Sequence, residues 1–415
     1  MAAIWQVTGM RSIIIAFAVF VAASFSGAAQ EFSGLARVIP DKSTISDDGR
    51  QGVRIDLSLS LGVPYRLFTL TGPPRLVADF REVDWTGLSQ QNLLSTDRIE
   101  TVKFGSYVPG WSRLVAELSA PMAVQTAEMQ MALDGSGARL TVHLTPVSEA
   151  EFLDRSGAPY DPRWDLPEPS VKAEMKPDRV DDVLVVMLDP GHGGIDPGAE
   201  TDRSNEKTLM QVFARELREV LLRSGNFDVF LTRDGDYFVS LEQRVALAHD
   251  AGADVFLSLH ADSLAEGKAH GATIHVLSED ASDVATAMLA ERHDRDQLLS
   301  GVDLNAADDR VAGVLLDLAR QETQPRTQAL ARSLVDAIGQ TGAPVNRVPL
   351  RSGGFSVLKA ADIPSVLIEI GFMSSPRDLK NLRDPAWRAR MAEGIRNGLE
   401  AWRKNDAAIR PLVRR

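Results

Sequence analysis

The feature that most constrains this chain is a short apolar run that ends in a glycine-rich turn bearing a histidine. Val183–Leu188 is unbroken, apolar and rich in β-branched residues, which is typical of a strand buried on both faces of a parallel sheet. Proline and glycines then break the strand in Asp189–Gly194. A histidine just beyond such a strand, here His192, lies at the sheet edge where open α/β folds bind ligands. The alternative at this point is a glycine-rich turn with an incidental histidine.

Composition limits the function classes that remain open. The length of 415 residues predicts roughly two or three domains, and 44% hydrophobic residues provide material for a real core. The formal net charge of -12 argues against nucleic-acid binding and against a cationic, membrane-adherent surface. The chain has no cysteine, which excludes disulfides and thiolate metal sites. Any metal ion must therefore be held by histidine and carboxylate side chains.

The first residues predict export. Arg11 is the only charged side chain before the apolar stretch Ile13–Ala23, and small residues follow up to Ala29. This order is typical of a cleaved secretory signal peptide over residues 1–29, which predicts a secreted protein. The apolar stretch is shorter than the ~20 residues that span a bilayer, so we expect no transmembrane anchor after cleavage. A retained N-terminal anchor is the alternative.

Residues 33–147 carry the pattern of an all-β sandwich. Val53–Ser60 alternates between apolar and polar residues, as a half-buried strand does, and other short runs follow between turn-forming residues. No catalytic set of side chains occurs here, so a binding or targeting module is predicted. Prolines scattered among charged residues mark residues 148–180 as a linker. The other predicted strands are Tyr65–Leu70, Arg75–Phe80, Thr101–Phe104, Arg113–Leu118 and Arg139–Leu144.

Residues 181–405 alternate strands with helices, which predicts an α/β domain with a mostly parallel sheet flanked by helices. Glu206–Leu222 has apolar residues at helical spacing, and residues 281–340 are predicted to be a helical insertion between two strands. The chain is thus expected to be multidomain. The predicted strands of this second domain are Val183–Leu188, Asp228–Thr232, Val255–Leu259, Gly271–Leu277, Phe355–Leu358 and Ser365–Ile370.

Four side chains with catalytic chemistry fall at one edge of this predicted sheet. His192, His260 and Glu369 each lie at or beside the end of a buried strand, and strand ends in a parallel sheet converge. Glu206 opens the first helix, whose start returns to the same edge. Two imidazoles and a carboxylate form a catalytic zinc set that leaves a fourth position for water. Glu369 interrupts an apolar run and is the candidate general base.

Each acidic residue of this set also has a structural explanation when it is taken alone. Glu369 fits a buried carboxylate that is paired with a cation. Glu206 fits the acidic residue that commonly occupies a first helical turn, where it faces the positive end of the helix dipole. The convergence of four such side chains on one sheet edge favours the catalytic interpretation.

Four short motifs also resemble those of a known enzyme family. They are Leu188–Gly194, Asn205–Lys207, Ser258–Asp262 and Ile368–Phe372. Together they resemble the motifs of the zinc-dependent N-acetylmuramoyl-L-alanine amidases, most of all the bacterial cell-division amidases, over essentially the whole mature chain. The resemblance implies that His192, Glu206 and His260 bind one catalytic Zn2+ ion. It also implies that Glu369 is the catalytic glutamate.

The same resemblance implies a reaction and a location. The reaction is hydrolysis of the amide bond between N-acetylmuramic acid and the first L-alanine of the peptidoglycan stem peptide, during separation of daughter cells. The β-rich half resembles the family's N-terminal (AMIN-type) module, which associates with peptidoglycan and the division site. Two alternatives remain: a zinc peptidase or deacetylase that acts on the cell wall, and a non-catalytic peptidoglycan-binding scaffold. Retention of all four site residues argues against the scaffold.

The helical insertion is predicted to inhibit the enzyme. In the division amidases that this chain resembles, a helix at this place blocks the site with a glutamate until an activator protein displaces it. This chain has His293 where the family commonly has glutamate, and imidazole is also a good zinc ligand. His293 is therefore the first choice for the plug, and Glu291 is the second. A solvated, charged helix face is the alternative.

Overall fold

A computed structural model gives the fold of most of the chain after residue 35. The structure describes residues 36–81, 83–108, 110–132, 137–158, 183–264, 269–278, 280–295, 310–360 and 362–413. The predicted signal peptide, and the predicted linker beyond residue 158, lie outside the described residues. None of the described helices combines the length and the apolar composition that crossing a bilayer requires.

The N-terminal module consists of short strands separated by turns. Its described residues also form two short helices, α1 (Gln90–Leu93) and α2 (Glu149–Arg155), and a 3-10 helix at Pro40–Lys42. Its described strands are β1 (Ala36–Arg37), β2 (Thr44–Asp48), β3 (Gly52–Leu59), β4 (Tyr65–Leu70), β5 (Arg75–Arg81), β6 (Val83–Asp84), β7 (Leu94–Ser95), β8 (Ile99–Val108), β9 (Trp111–Leu118), β10 (Met122–Met131) and β11 (Ala138–Pro146).

Two sheets of this module enclose an apolar core. The first has the strand order β10-β11-β3-β2-β7, and the second has the order β4-β5-β9-β8. In β3, Val53, Ile55 and Leu57 all enter the core, as the period of two in a strand requires. Leu76 and Leu114 enter the same core from the second sheet. The predicted all-β sandwich is therefore confirmed.

The C-terminal domain alternates strands and helices around one six-stranded sheet. A 3-10 helix also occurs at Ser356–Leu358. The described strands are β12 (Leu184–Pro190), β13 (Glu200–Thr201), β14 (Ser204–Asn205), β15 (Phe227–Leu231), β16 (Val255–His260), β17 (Ala272–Leu277), β18 (Val345–Gly353) and β19 (Ser365–Glu369). The described helices are α3 (Glu206–Arg223), α4 (Leu241–Asp250), α5 (Val284–Arg295), α6 (Arg310–Gln340), α7 (Pro376–Arg383) and α8 (Pro385–Val413).

Strand direction in this sheet brings the predicted site residues to one edge. The order is β15-β12-β16-β19-β17-β18. The first four strands are parallel, whereas β17 is antiparallel to β19, and β18 runs with β17. The predicted, mostly parallel sheet is thus confirmed, with two strands reversed at one side. Because β12, β16 and β19 are parallel neighbours, their carboxyl ends meet at the same edge.

The two faces of the sheet have different neighbours. Val186 and Leu257 point to one face, where α3, α6 and α8 cover them with a continuous apolar core. Phe256 points to the other face, which packs against residues of α4, α5 and the 3-10 helix. At the carboxyl ends of the strands this second face becomes polar, because His260 and Glu369 follow at alternate positions. The site therefore lies on the face opposite the larger core.

Several segments differ from the sequence prediction. The strands β2 and β10 are not among the predicted strands, and the predicted linker begins with α2, whose Phe152 is buried in the core of the sandwich. Phe355–Leu358 is predicted as a strand, but most of it forms the 3-10 helix and is buried against the second face. A four-residue apolar run fits any buried element, so its composition does not decide between them. The strand β18 is not predicted, because Pro349 and polar residues interrupt its apolar pattern. It lies at the edge of the sheet, where proline is tolerated. The predicted insertion contains α5 and α6, and residues 296–309 lie outside the described chain.

Candidate metal centre

His192 lies in a turn that requires a left-handed backbone. It follows β12, and its φ of 61° makes it the one non-glycine residue of the described chain with a positive φ. Such a backbone costs roughly 1–2 kcal/mol for a residue with a Cβ, so the turn needs support. Asp196 supplies it, because its Oδ2 lies 2.7 Å from His192 Nδ1 and its backbone pairs with that of Gly193. This contact directs Nε2 towards the other site residues.

Glu206 is the buried carboxylate that links the two predicted histidine ligands. Its Oε2 lies 3.2 Å from His192 Nε2, and its Oε1 lies 3.1 Å from His260 Nδ1. The two oxygens also accept the backbone N–H groups of Ala199 and Ala261. Burial alone would raise the pKa of the Glu206 carboxyl, but the two imidazoles hold this pKa well below its usual range. The carboxylate is therefore charged.

His260 and Glu369 end two neighbouring strands and lie directly opposite each other in the register. Glu369 Oε2 accepts the backbone N–H of Asp262 at 3.0 Å, whereas its Oε1 has no hydrogen-bond partner within the described chain. Burial raises the pKa of the Glu369 carboxyl well above its usual range, and the carboxylates of Glu206 and Asp262 raise it further. A buried carboxyl with a raised pKa and an unbonded oxygen is suited to proton transfer.

A third histidine, His293, joins this group from α5. Its ring is buried, with its centroid 4.2 Å from that of His260 and 5.8 Å from that of His192. The ligand atoms of the three histidines all lie within 4.8 Å of one another. Glu291 is exposed on the same helix and does not belong to this group. Of the two residues named for the plug, the structure places only His293 beside the predicted ligands.

Polar contacts near the end of α5 hold it over the site. Arg292 donates to Asp262 Oδ1 at 2.7 Å, and Asp294 accepts the backbone N–H of Ser356 at 3.0 Å. On the apolar side of the helix, Leu289 packs into the core of the second face. The helix therefore covers the site through one buried apolar contact surface and a few hydrogen bonds at its rim.

The residues present fit a divalent metal ion. Because the chain has no cysteine, imidazole and carboxylate groups are the side chains available to bind zinc. The cavity bordered by His192, His260 and His293 measures about 20 Å³, enough for one water molecule or an ion. Burial alone would lower the pKa of His192, but Asp196 and Glu206 raise it well above its usual range. These two carboxylates therefore create a field that favours a positive charge at this point.

Comparison with known proteins identifies the family of this site. The profile of the N-acetylmuramoyl-L-alanine amidases matches residues 186–401, slightly more than half of the chain. The chain belongs to the N-acetylmuramoyl-L-alanine amidase family. The profile of the AMIN domain matches residues 44–144, which lie in the sandwich.

Two relatives and one solved structure show the extent of the similarity. AmiC of Escherichia coli O6:H1 is 28% identical over 86% of this chain and 88% of its own length. AmiA of Salmonella typhimurium is 37% identical over 52% of this chain and 74% of its own length. The catalytic domain of CwlV from Bacillus (Paenibacillus) polymyxa aligns at 24% identity with a TM-score of 0.39, over 54% of this chain and 99% of its own. By family and relatives, the chain is an amidase that acts on the bond between N-acetylmuramic acid and L-alanine.

Sequence reasoning assigns no role to three aspartates that surround the histidines of this amidase. Asp189, Asp196 and Asp262 are all buried. Asp189 accepts hydrogen bonds from Thr232, Ser258 and Arg244. The signal in the sequence is a charged residue directly after a buried apolar run, which holds for Asp189 and nearly so for Asp262. Asp196 has no such signal, because its position follows from the turn geometry.

Another histidine, His275, is buried on β17 beside Phe355. Burial and, to a smaller extent, the nearby His293 lower the pKa of His275 to about 3. Neither ring nitrogen of His275 has a hydrogen-bond partner within the described residues. The region under α5 therefore holds an uncharged imidazole next to the site.

We expect Asp189→Asn to lower the free energy of unfolding of this amidase by about 3–5 kcal/mol, since it leaves the buried Arg244 guanidinium without its anionic partner. Burial alone would raise the pKa of Asp189, but Arg244 holds it below its usual value, so the charged form is the native one. Urea denaturation followed by tryptophan fluorescence measures the change. The exposed Asp228→Asn is the matched control, with an expected change within about 0.5 kcal/mol. Equal losses in both variants would contradict the structural role of Asp189.

Proposed function

We propose that this chain is a zinc-dependent amidase that cuts peptidoglycan during the separation of daughter cells. The observation that carries the proposal is the meeting of two histidines and a buried carboxylate at one sheet edge. Next to them lies a second carboxyl, one oxygen of which has no hydrogen-bond partner in the described part of the chain. The carboxylate is Glu206, and the second carboxyl is Glu369. This is the arrangement that metal-assisted amide hydrolysis requires: metal ligands on one side and a general base on the other.

In this proposal His192, Glu206 and His260, whose polar side-chain atoms approach one another, would hold one zinc ion. Bound zinc would supply Lewis acidity, which would polarise the scissile carbonyl and make water more acidic. Asp196 holds His192 in one tautomer and orientation, since it engages the nitrogen that points away from the cluster.

Glu369 is proposed as the proton carrier. The backbone N–H of Asp262 fixes one carboxyl oxygen, so the other, Oε1, keeps a defined direction. Burial and the neighbouring carboxylates raise its pKa well above that of an ordinary glutamate, so its carboxylate is a stronger base, which suits a group that first accepts a proton and then returns it. Oε1 takes the proton of the attacking water and delivers it to the leaving amine of L-alanine.

The remaining parts of the chain fit an enzyme of the cell envelope. We propose that residues 1–29 are removed on export to the periplasm, that the module at 33–147 holds the enzyme on peptidoglycan, and that residues 148–180 link it to the catalytic domain at 181–405. The match of the AMIN profile within the sandwich supports the assignment of the module. No nucleic-acid partner is proposed for a chain with a formal net charge of -12.

We also propose that α5 inhibits the free enzyme, with His293 as the plug. His293 Nε2 is buried and lies 3.7 Å from Asp262 Oδ2, so it makes no hydrogen bond within the described chain, and it can serve as a further zinc ligand. With α5 over the site, the hydroxyls of Thr273 and Thr286 are buried and have no hydrogen-bond partner among the residues that the structure describes. Each such group costs about 1–3 kcal/mol relative to a hydrated one, which makes the cover removable. A protein activator that binds the open state would then switch the enzyme on.

The first prediction concerns the metal. His192→Ala and His260→Ala should each lose the bound zinc and release no stem peptides from purified peptidoglycan, whereas the exposed His249→Ala should retain both. Zinc content is measured by plasma mass spectrometry, and the released ends are identified by mass spectrometry with and without a chelator. Full activity of metal-free protein would refute the zinc proposal. Cleavage between amino acids, or release of acetate, would indicate the peptidase or the deacetylase instead.

The second prediction separates the base from the ligands. Glu369→Gln should keep its zinc and its fold but lose about 10²–10⁴-fold in rate, because the amide cannot accept the proton. Glu393→Gln, an exposed change on α8, serves as the control. Loss of zinc together with activity would show that Glu369 is a ligand, and retained turnover would show that it has no catalytic role.

The third prediction tests the plug. His293→Ala should raise basal activity about tenfold, the change produced when the closed state loses about 1.4 kcal/mol. Met288→Ala, which changes an exposed side chain of the same helix, should leave basal activity unchanged. Initial rates on soluble muropeptides provide the measurement. If Glu291→Ala rather than His293→Ala activates the enzyme, the assignment of the plug is wrong.

A further inference from the structure

The N-terminal module contacts the amidase domain at the turn that carries His192. The backbone N–H of Ile195 donates to the carbonyl of Ser106 at 2.6 Å, and that of Phe238 donates to the carbonyl of Tyr107 at 2.7 Å. Both acceptors lie on β8 of the sandwich, and both donors lie in loops of the amidase domain. The two modules belong to one compact unit of the chain. The contact therefore joins backbone to backbone, independently of side-chain rotamers.

An apolar cluster surrounds these two hydrogen bonds. Ile195 and Phe238 are 2% and 3% exposed, and Tyr107 stacks on Phe238 with ring centroids 5.7 Å apart. The guanidinium of Arg113 lies 3.6 Å from the centre of the Tyr107 ring, and this second contact helps to hold the ring in place. Tyr107 packs against an apolar cluster that is separate from the core of the sandwich and that includes Ile195 and Phe238 of the amidase domain. The sandwich contributes Phe68, Leu70, Val77 and Val115.

The two backbones approach so closely that neither side has room for a side chain. A Cβ on Gly105 would lie 2.8 Å from Ile195 Cα, and a Cβ on Gly194 would lie 2.1 Å from the Ser106 carbonyl oxygen. The φ of Gly105 is 159°, a value that residues with a Cβ rarely adopt. Both this backbone conformation and the close approach of the amidase domain therefore favour glycine at position 105.

The contact falls on a strained part of the site. His192 has its left-handed φ two residues before Gly194, and Gly194 is also left-handed, with a φ of 58°. From the amidase side, Asp236 accepts the Gly194 N–H and Lys207 donates to the Gly194 carbonyl, both at 2.8 Å. Ser106 completes the support from the sandwich side, through the N–H of Ile195. The turn is thus held between two surfaces, one from each module.

We propose that docking of the N-terminal module braces the turn at residues 192–196 and so positions His192 for metal binding. The inference rests on the metal centre proposed above. It gives the module a positioning role in addition to attachment to the cell wall. Groups that orient a metal ligand typically contribute 10–100-fold to metal affinity, and a brace on the ligand's own turn acts in the same way.

The test uses the full chain with two changes in the sandwich that leave the amidase domain untouched. Tyr107→Ala removes the stacked ring, and Gly105→Ala places a Cβ against Ile195. Both variants should bind zinc about tenfold more weakly, as measured by competition with a chromophoric chelator. In both, amide hydrogen exchange should be about tenfold faster at residues 193–196, followed by mass spectrometry. Tyr107→Phe, which keeps the ring, should retain both properties.

The control for general loss of stability is Gly49→Ala, which introduces a strained residue into an open turn of the same module, far from any neighbour. Unchanged exchange and unchanged zinc affinity in Tyr107→Ala and Gly105→Ala would refute the brace. Equal changes in Gly49→Ala would also refute it, because they would show that a general loss of stability of the module causes the weaker zinc binding and the faster exchange. Exchange is measured in metal-free protein as well, so the brace is tested even if the proposed metal centre is wrong.

Discussion

The buried carboxylate of Glu206 is the interaction on which the rest of the site depends. It lies at the first residue of α3, is fully buried, and contacts two imidazoles and two backbone N–H groups. A charge in such a place is stable only if every neighbour compensates it. The cap formed by Asn205, whose side chain accepts the N–H of Thr208, fixes where the helix begins. A start shifted by one residue would rotate the carboxylate by about 100° and separate it from both histidines.

The alternation of side chains along each strand determines which residues of the sheet reach the site, as the cap determines where the helix places Glu206. Side chains at successive positions point to opposite faces, so Leu257 enters the apolar core while Ser258 and His260 reach the site. A slip of one residue in β16 would place the imidazole in that core and an apolar side chain beside Glu206. The register that pairs His260 with Glu369 is therefore enforced by the apolar residues between α3, α6, α8 and the sheet. Packing on the far face thus determines the geometry on the site face.

Much of this arrangement is predictable from the sequence, because several site residues interrupt or end apolar runs. His260 and Glu369 are found in this way, and Glu206 is found from the start of an amphipathic helix. The sandwich and the parallel core of the sheet follow from periodicity alone. The reversal of β17 is not predictable, since a strand has the same pattern in either direction. The contact between Ser106 and Ile195 is not predictable either, because a hydrogen bond between two backbone groups does not require a particular residue type. Its one mark in the sequence is the pair of glycines beside it.

The two helices described between β17 and β18 contribute differently to the fold. The second, α6, packs Leu330 and Leu334 into the main core and carries the chain across to the neighbouring parallel strand. The first, α5, packs only on the site face, and the crossover does not need it. The entropy of closing a connection grows slowly with its length, so this stretch can lengthen, shorten or vanish in descent while the sheet persists. A hydrolase whose site is always open and one whose site is covered until it is activated can therefore arise from the same fold. The difference requires only a deletion or an insertion at this single connection.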